Sequence, residues 1–313
     1  MFVIVNHSLK NSLNVDTPQF AIQKDALSSQ EISDKDYKKQ IIESSHNDKY
    51  VLQNMGSIVG PAELKDFIAK NDSNPKIYTP SESNIKNGVF DANLHIHTTN
   101  SDGQFGVVEL LNQAADYAKT LKNKPFYLAI TDHNTVDGLK TVVDALQNNP
   151  EKYKNIRVVL GMEVYSKLQV VPGIIKNPVD IHVLCWAINP YDEELNRVFI
   201  KKNPKNKYNY SYRTFDDAIN LLKRKGLVGI AHPMRYVAYE NMVATKFEYY
   251  DYLIKHYAAL NQGNTLFAEG YYQSYKKAEE KELINYVNSE FAKKNIMRTG
   301  STDSHGHSIF KMR

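Results

Sequence analysis

From residue 91 onward the chain repeats one arrangement: a short run of Val, Ile and Leu, a histidine or an acid near its end, and then an amphipathic stretch. Apolar runs of this length, bounded by polar turns, read as strands buried on both faces. The stretches between them carry apolar residues at helical spacing, as Val107, Leu110, Leu111, Ala114, Ala118 and Leu121 do. Strand alternating with helix argues for an α/β fold with a largely parallel sheet. A length of 313 residues suits two domains, or one barrel of about 250 residues with an appendage.

The expected strands lie at 91–95, 126–131, 156–160, 180–186, 227–231, 265–269 and 296–301, about seven in all. Helices are expected over 107–121, 139–146, 214–225, 248–261 and 276–294. Thr214 has the character of an N-cap with Asp217 three residues on, and Gly226 that of the glycine closing the same helix. Residues 1–90 differ in composition. They are polar and rich in Asn, Ser, Lys and Asp, with helices expected near 35–45 and 61–70, a turn at 71–75 and a loop at 80–84. They read as an N-terminal extension of unknown role that decorates a domain spanning 91–313.

Six of the ten histidines fall in the short motifs that end or follow these runs. In order these are His95-x-His97, Ser101-Asp102-Gly103, Thr131-Asp132-His133-Asn134, Gly161-Met162-Glu163, Ile181-His182, Ala231-His232-Pro233 and Thr302-Asp303-Ser304-His305. Neutral imidazole and carboxylate are ligands for zinc, manganese or iron. Nine such side chains exceed the four to six that one ion takes. The pattern therefore points to two or three divalent ions, and clustered ions serve hydrolysis. If the strands close into a barrel, side chains at their C-terminal ends share one mouth. His95, His133, Glu163, His232, Glu269 and Asp303 meet that condition. His182 does not, since it falls near the start of its run. Alternation along a strand puts His95 and His97 on the same side.

Composition narrows the class further. A formal charge of +4 is slight for this length, so no stable nucleic-acid complex is expected, while an anionic substrate remains compatible. The single cysteine, Cys185, leaves no internal disulfide and no cysteine metal site, which favours a reducing compartment and hence the cytoplasm. The apolar start Met1-Phe-Val-Ile-Val5 is too short for a signal peptide, and no run approaches the roughly 20 residues of a membrane helix. His7, His46, His256 and His307 lack the motif context and read as surface or packing residues. Tyr271, Tyr272 and Tyr275, just past a strand, are candidates to border a pocket.

Taken together, the motifs His95-Ile-His97-Thr-Thr-Asn-Ser101-Asp102-Gly103, Ile130-Thr-Asp132-His133-Asn134, Gly161-Met-Glu163, His182-Val-Leu184, Ala231-His232-Pro233 and Gly300-Ser-Thr-Asp303-Ser-His305-Gly306 resemble those of the polymerase and histidinol phosphatase (PHP) superfamily of metal-dependent phosphoesterases. The resemblance covers residues 90 to 313 and implies a distorted seven-stranded (β/α) barrel. It implies a first ion held by His95, His97, Glu163 and Asp303, and a second bridged by Glu163 and completed by His182 and His232. A third would be held by Asp102, His133 and His305. Asp132 would orient a ligand without binding metal itself. The Ser101-Asp102-Gly103 turn and the Asp132-His-Asn-Thr-x-x-Gly138 run are similar to the branch that cleaves nucleotides and short oligonucleotides. The stretch between Ile188 and Ala231 is shorter than the helical insertion of that branch, and little chain follows Gly306, which weakens any transfer of substrate.

The chemistry so implied is phosphoester hydrolysis of a small phosphorylated substrate by a hydroxide bridging the ions. Asp303 or His305 would handle the proton, and Arg235 would clamp phosphate in a bidentate manner. Two alternatives keep the ions. One is an amidohydrolase acting on a carboxamide or lactone, against which Glu163 stands where a carbamylated lysine would bridge. The other is a metal-holding scaffold without catalysis.

Overall fold

The computed structural model describes residues 32–45, 55–199, 213–235, 237–272, 275, 280–306 and 308–311. Their strands are β1 (Ala92–Ile96), β2 (Phe126–Ile130), β3 (Ile156–Leu168), β4 (Val179–Trp186), β5 (Arg213–Thr214), β6 (Leu227–Ala231), β7 (Leu266–Tyr272) and β8 (Ile296–Ser301). Seven of them form a curled sheet in the order β1-β2-β3-β4-β6-β7-β8, and the short β5 pairs with β3. Helices α1 (Asp34–Ser44), α2 (Pro61–Asn71), α3 (Glu82–Lys86), α4 (Val107–Ala118), α5 (Asp137–Asn148), α6 (Glu193–Val198), α7 (Phe215–Leu222), α8 (Lys246–Leu260) and α9 (Lys281–Lys293) flank it. This is a distorted β/α barrel, as the family resemblance implies. None of these helices is long and apolar enough to cross a membrane.

The sheet is less uniformly parallel than expected. β4 runs antiparallel to both β3 and β6, with Glu163 opposite Leu184 and His182 opposite both Tyr165 and Ala231. β3 is also longer than its apolar run suggests, extending through Leu168 to form a hairpin with β4. The start of β4 therefore lies beside the end of β6. That reversal removes the anomaly of His182, which reaches the common mouth from the opposite direction.

The strands bury side chains on both faces. Inside the barrel, Ala92 and Leu94 of β1, Ala129 of β2, Val159 of β3, Leu184 and Trp186 of β4, and Phe267 of β7 form one apolar cluster. Val59, Leu64, Ile68, Ile77 and Tyr78 join it from the chain before β1. Residues 57–59 also hydrogen-bond to β3, Val59 N–H donating to the Val158 carbonyl at 2.9 Å and Val158 N–H to that of Ser57 at 2.7 Å. The outer face packs against the helices in a second, larger cluster.

Among the described residues, β1 meets the chain just after β8 through one bridge, Ile96 to Ser304. The buried Asn93 side chain completes the closure. Its amide donates to Thr302 Oγ1 at 2.8 Å and to the Ile309 carbonyl at 2.7 Å, and its oxygen accepts from Thr302 N–H at 3.1 Å.

Two local expectations need correction. Residues 82–86 form a short helix in place of a loop, because Ser81 caps it by accepting from Asn84 N–H at 3.0 Å. Thr214 does cap α7, accepting from Asp217 N–H at 3.1 Å. Gly226, however, is not a left-handed closing glycine. A Cβ there would lie 2.3 Å from the Trp186 carbonyl oxygen, so the position is glycine for want of space between β6 and β4.

Candidate metal centre

Strand alternation alone would leave most of the expected ligands pointing in different directions. Irregularities in the backbone bring them inward. β1 carries a bulge between Asn93 and Ile96, so the successive residues Leu94 and His95 both face the barrel interior. The Leu94 carbonyl accepts instead from Trp186 Nε1, at 2.9 Å. A second bulge in β7, between Glu269 and Tyr271, lets Glu269 and Tyr272 face the same way although three residues apart. His232 and Asp303 have φ of 24° and 49°, in the left-handed region that non-glycine residues avoid. Each lies just past a strand end, and its own side chain reaches the common cluster. Such strained residues persist where the surrounding structure over-determines them, which is common at functional sites.

The convergence centres on Glu163, wholly buried on β3. Its Oε2 lies 3.0 Å from His95 Nε2 and 3.2 Å from His97 Nε2, and its Oε1 lies 2.8 Å from His182 Nδ1 and 3.0 Å from His232 Nε2. Asp303 Oδ1 faces the first pair, 3.4 Å from His95 Nε2 and 3.0 Å from His97 Nε2. A third group forms around Asp102, whose Oδ1 is 3.2 Å from His305 Nε2 and 3.6 Å from His133 Nε2. All nine sequence-predicted donors thus fall into three adjoining groups, each with donor atoms within 4.8 Å of one another.

These groups fit divalent cations on two grounds. His95 Nε2 and His97 Nε2 are 3.0 Å apart, and His305 Nε2 and His133 Nε2 are 3.3 Å apart. Facing imidazole nitrogens at this range require a proton or a cation between them. With nitrogen–metal bonds of about 2.1 Å, the two separations subtend about 90° and about 100° at a shared ion, within the range of metal coordination. Second, three imidazole nitrogens crowd the buried Glu163 Oε2, His133 Nδ1 at 2.9 Å, His95 Nε2 at 3.0 Å and His97 Nε2 at 3.2 Å, and the buried His97 Nδ1 has no hydrogen-bond partner among the described residues. Burying such atoms without compensation is costly, and a cation would satisfy the oxygen. The donor chemistry fits a metal-dependent hydrolase.

The electrostatics are those of a site prepared for positive charge. Burial favours neutral imidazole, yet at His95 the carboxylates of Glu163, Glu269 and Asp303 outweigh it and raise its pKa. At His97 burial is likewise overcome, by hydrogen bonds to Asp303 and Glu163, and the pKa is pushed up to about 9. At His133 burial prevails and the pKa falls to about 3. For Glu163, Asp303 and Asp102 burial opposes ionisation, but the surrounding imidazoles hold all three below the usual carboxylate range.

No protein-family description matches the chain, and no curated protein matches it. Among solved structures, an amidohydrolase from Chromobacterium violaceum with bound sulfate and no metal is similar at 15% identity, over 69% of this chain and 88% of that one, with a TM-score of 0.46. What the site does therefore rests on its own geometry.

Other residues singled out in the sequence take supporting places. Asp132 accepts from Thr98 N–H at 2.7 Å, from Thr98 Oγ1 at 2.6 Å and from Ser101 Oγ at 2.7 Å. It thereby holds the loop that carries Asp102. Gly103 lets that loop fold back, since a Cβ would stand 2.3 Å from the His97 carbonyl oxygen. Arg235 places Nη1 3.5 Å from Asp303 Oδ2, with its guanidinium over the Tyr272 ring. Tyr272 donates to Asp303 Oδ2 at 3.0 Å. Tyr271 points elsewhere, to the Asp72 carbonyl, and the Tyr275 hydroxyl accepts from Met234 N–H. His256 pairs with Asp216 away from the mouth, while His7, His46 and His307 lie outside the described residues.

Sequence reasoning did not assign three residues that the geometry brings in. Tyr165 stacks on His133, with centroids 4.3 Å apart and 20° between planes, and meets His182 edge-on. Asn134 accepts from Tyr165 N–H. Glu269 contacts His95 and the His232 backbone; its position at a strand end was the available signal.

Proposed function

We propose that the chain is a metal-dependent phosphoesterase that hydrolyses a small phosphorylated substrate, with nucleotides and short oligonucleotides as the first candidates. His95, His97, Glu163 and Asp303 would hold one ion, Glu163, His182 and His232 a second, and Asp102, His133 and His305 a third, each zinc, manganese or iron. The observation that carries this reading is the division of Glu163, whose Oε1 faces His182 and His232 while its Oε2 faces His95, His97 and His133. Bound there, divalent ions supply Lewis acidity, which ionises water near neutral pH and neutralises charge on phosphoryl oxygens.

The chain's own residues would do the rest. A small recess lined by Asp180, Ile181, His182, Pro233 and Arg235 opens onto His232. Arg235, at its edge, would grip non-bridging phosphate oxygens through its planar fork. Asp303 presents Oδ1 to His95 and His97 and Oδ2 to Tyr272 and Arg235. His305 donates from Nδ1 to the Asp303 carbonyl at 2.9 Å and turns Nε2 to Asp102 and His133. Both Asp303 and His305 have all their polar side-chain atoms engaged in the cluster, and both stand as candidates for proton transfer.

The test is phosphate release after reconstitution with manganese or zinc, with His95→Ala as control. The panel holds nucleoside monophosphates, nucleoside 3′,5′-bisphosphates, histidinol phosphate, a phosphotyrosine peptide, a short oligonucleotide and a set of amides and lactones. Release of phosphate from one class, lost in the variant, supports the proposal. Turnover of an amide or lactone alone would replace it with the amidohydrolase reading, and inertness of the metal-loaded protein would leave a scaffold.

A further inference from the structure

Glu269 is a buried carboxylate at the heart of the barrel that the proposed ion positions do not use. Its contacts span two of them. His95 Nδ1 lies 3.1 Å from Oε2 and 3.3 Å from Oε1, while His95 Nε2 faces Glu163 and Asp303. His232 N–H donates to Glu269 Oε2 at 2.8 Å, at the residue whose φ is 24°. Ser301 Oγ–H, two residues before Asp303, donates to Oε1. His95, His232 and Glu269 are close enough to resemble a further cation site. The geometry argues against that. Both Glu269 oxygens accept hydrogen bonds from protein donors, and His95 and His232 turn their Nε2 atoms toward Glu163.

We infer that Glu269 is a positioning residue that couples two metal positions, fixing the ring of His95 in the first and the strained backbone of His232 in the second. The inference rests on the reading of His95 and His232 as ligands. The first contact works through the tautomer. A carboxylate accepting from Nδ1–H leaves Nε2 as the only free lone pair and locks the ring plane. The second works through the backbone. A buried carboxylate accepting from His232 N–H holds a left-handed conformation that an unassisted histidine would leave. Ser301 ties the same carboxylate to β8, which carries Asp303.

The experiment compares wild type, Glu269→Gln and His182→Ala by metal stoichiometry in a chelator-buffered zinc series and by the visible absorption of the cobalt-substituted protein. Glu269→Gln keeps the shape but replaces an acceptor with a donor. Loss of an outer-shell partner lowers metal affinity about 10- to 100-fold, and coupling requires that drop at both positions together with an altered cobalt spectrum. His182→Ala should weaken one position only. A Glu269→Gln protein with both affinities and the spectrum unchanged, or one that loses a single ion, would overturn the coupling. Wild-type protein that takes up no ion would instead sink the underlying metal reading. A measurement on the folded wild type guards against a variant that does not fold. In zinc-loaded protein labelled with 15N-histidine, His95 should show a protonated Nδ1 and a metal-bound Nε2; metal-bound Nδ1 would refute the inference.

Discussion

His182 Nδ1 lies 2.8 Å from Glu163 Oε1, a contact that exists because β4 runs against β3. Were β4 parallel to its neighbours, a residue near its start would sit at the far end of the barrel. The reversal gives Glu163 a histidine pair for its second oxygen, the second of the proposed metal positions.

Replacing His182 with alanine should therefore remove one ion and leave the His95, His97 and Asp303 group intact. Turnover is expected to fall more than about 100-fold, beyond what loss of a mere outer partner costs. Elemental analysis alongside phosphate release checks this. A variant that retained the full complement of ions would break the assignment of His182.

Metal uptake should release protons. Ligating imidazoles must be neutral, and His95 and His97 are raised, His97 to about 9. At pH 7 His97, raised to about 9, must give up its proton, while His133, lowered to about 3, has none to give. Affinity should rise with pH until about 9. Before metal is added, the raised His97 contributes stability that is full below pH 6.5 and lost as pH climbs through about 9. Calorimetric titration with zinc in buffers of different ionisation enthalpy counts the protons; a heat independent of buffer would contradict the prediction.

Arg235→Ala should raise KM and lower kcat/KM by about 10- to 100-fold, the span of a charged hydrogen bond of about 1.5–3 kcal/mol. Metal content should not change, since Arg235 touches Asp303 only through Oδ2. Lysine should restore little, lacking the planar fork. Kinetics identical to wild type would reduce Arg235 to an ion-pair partner of Asp303.

Asn93→Ala should destabilise the barrel by about 2–4 kcal/mol. Three side-chain hydrogen bonds are lost, each worth about 1 kcal/mol, and buried partners are left unsatisfied. The exposed Asn87→Ala serves as control. Denaturant unfolding of the metal-free proteins separates this effect from metal binding, and equal midpoints for the two variants would show that Asn93 does not close the barrel.

Much of this protein is local and was open to reading. Runs such as Phe126–Ile130 and Leu227–Ala231 are strands because residues so apolar must be buried on both faces. Thr214 caps its helix through its own hydroxyl, and the identity of the nine donors follows from the chemistry of imidazole and carboxylate. The direction of β4, the bulges in β1 and β7 and the left-handed backbone at His232 and Asp303 had no such local signature. A two-residue period says which side chains share a face, but a single extra residue inverts it, and only packing across the sheet determines where that residue goes. Glu269 shows the same division. Its type and strand position stand in the sequence, whereas its hold on His95, 174 residues away, and on the His232 backbone exists only once the sheet has curled.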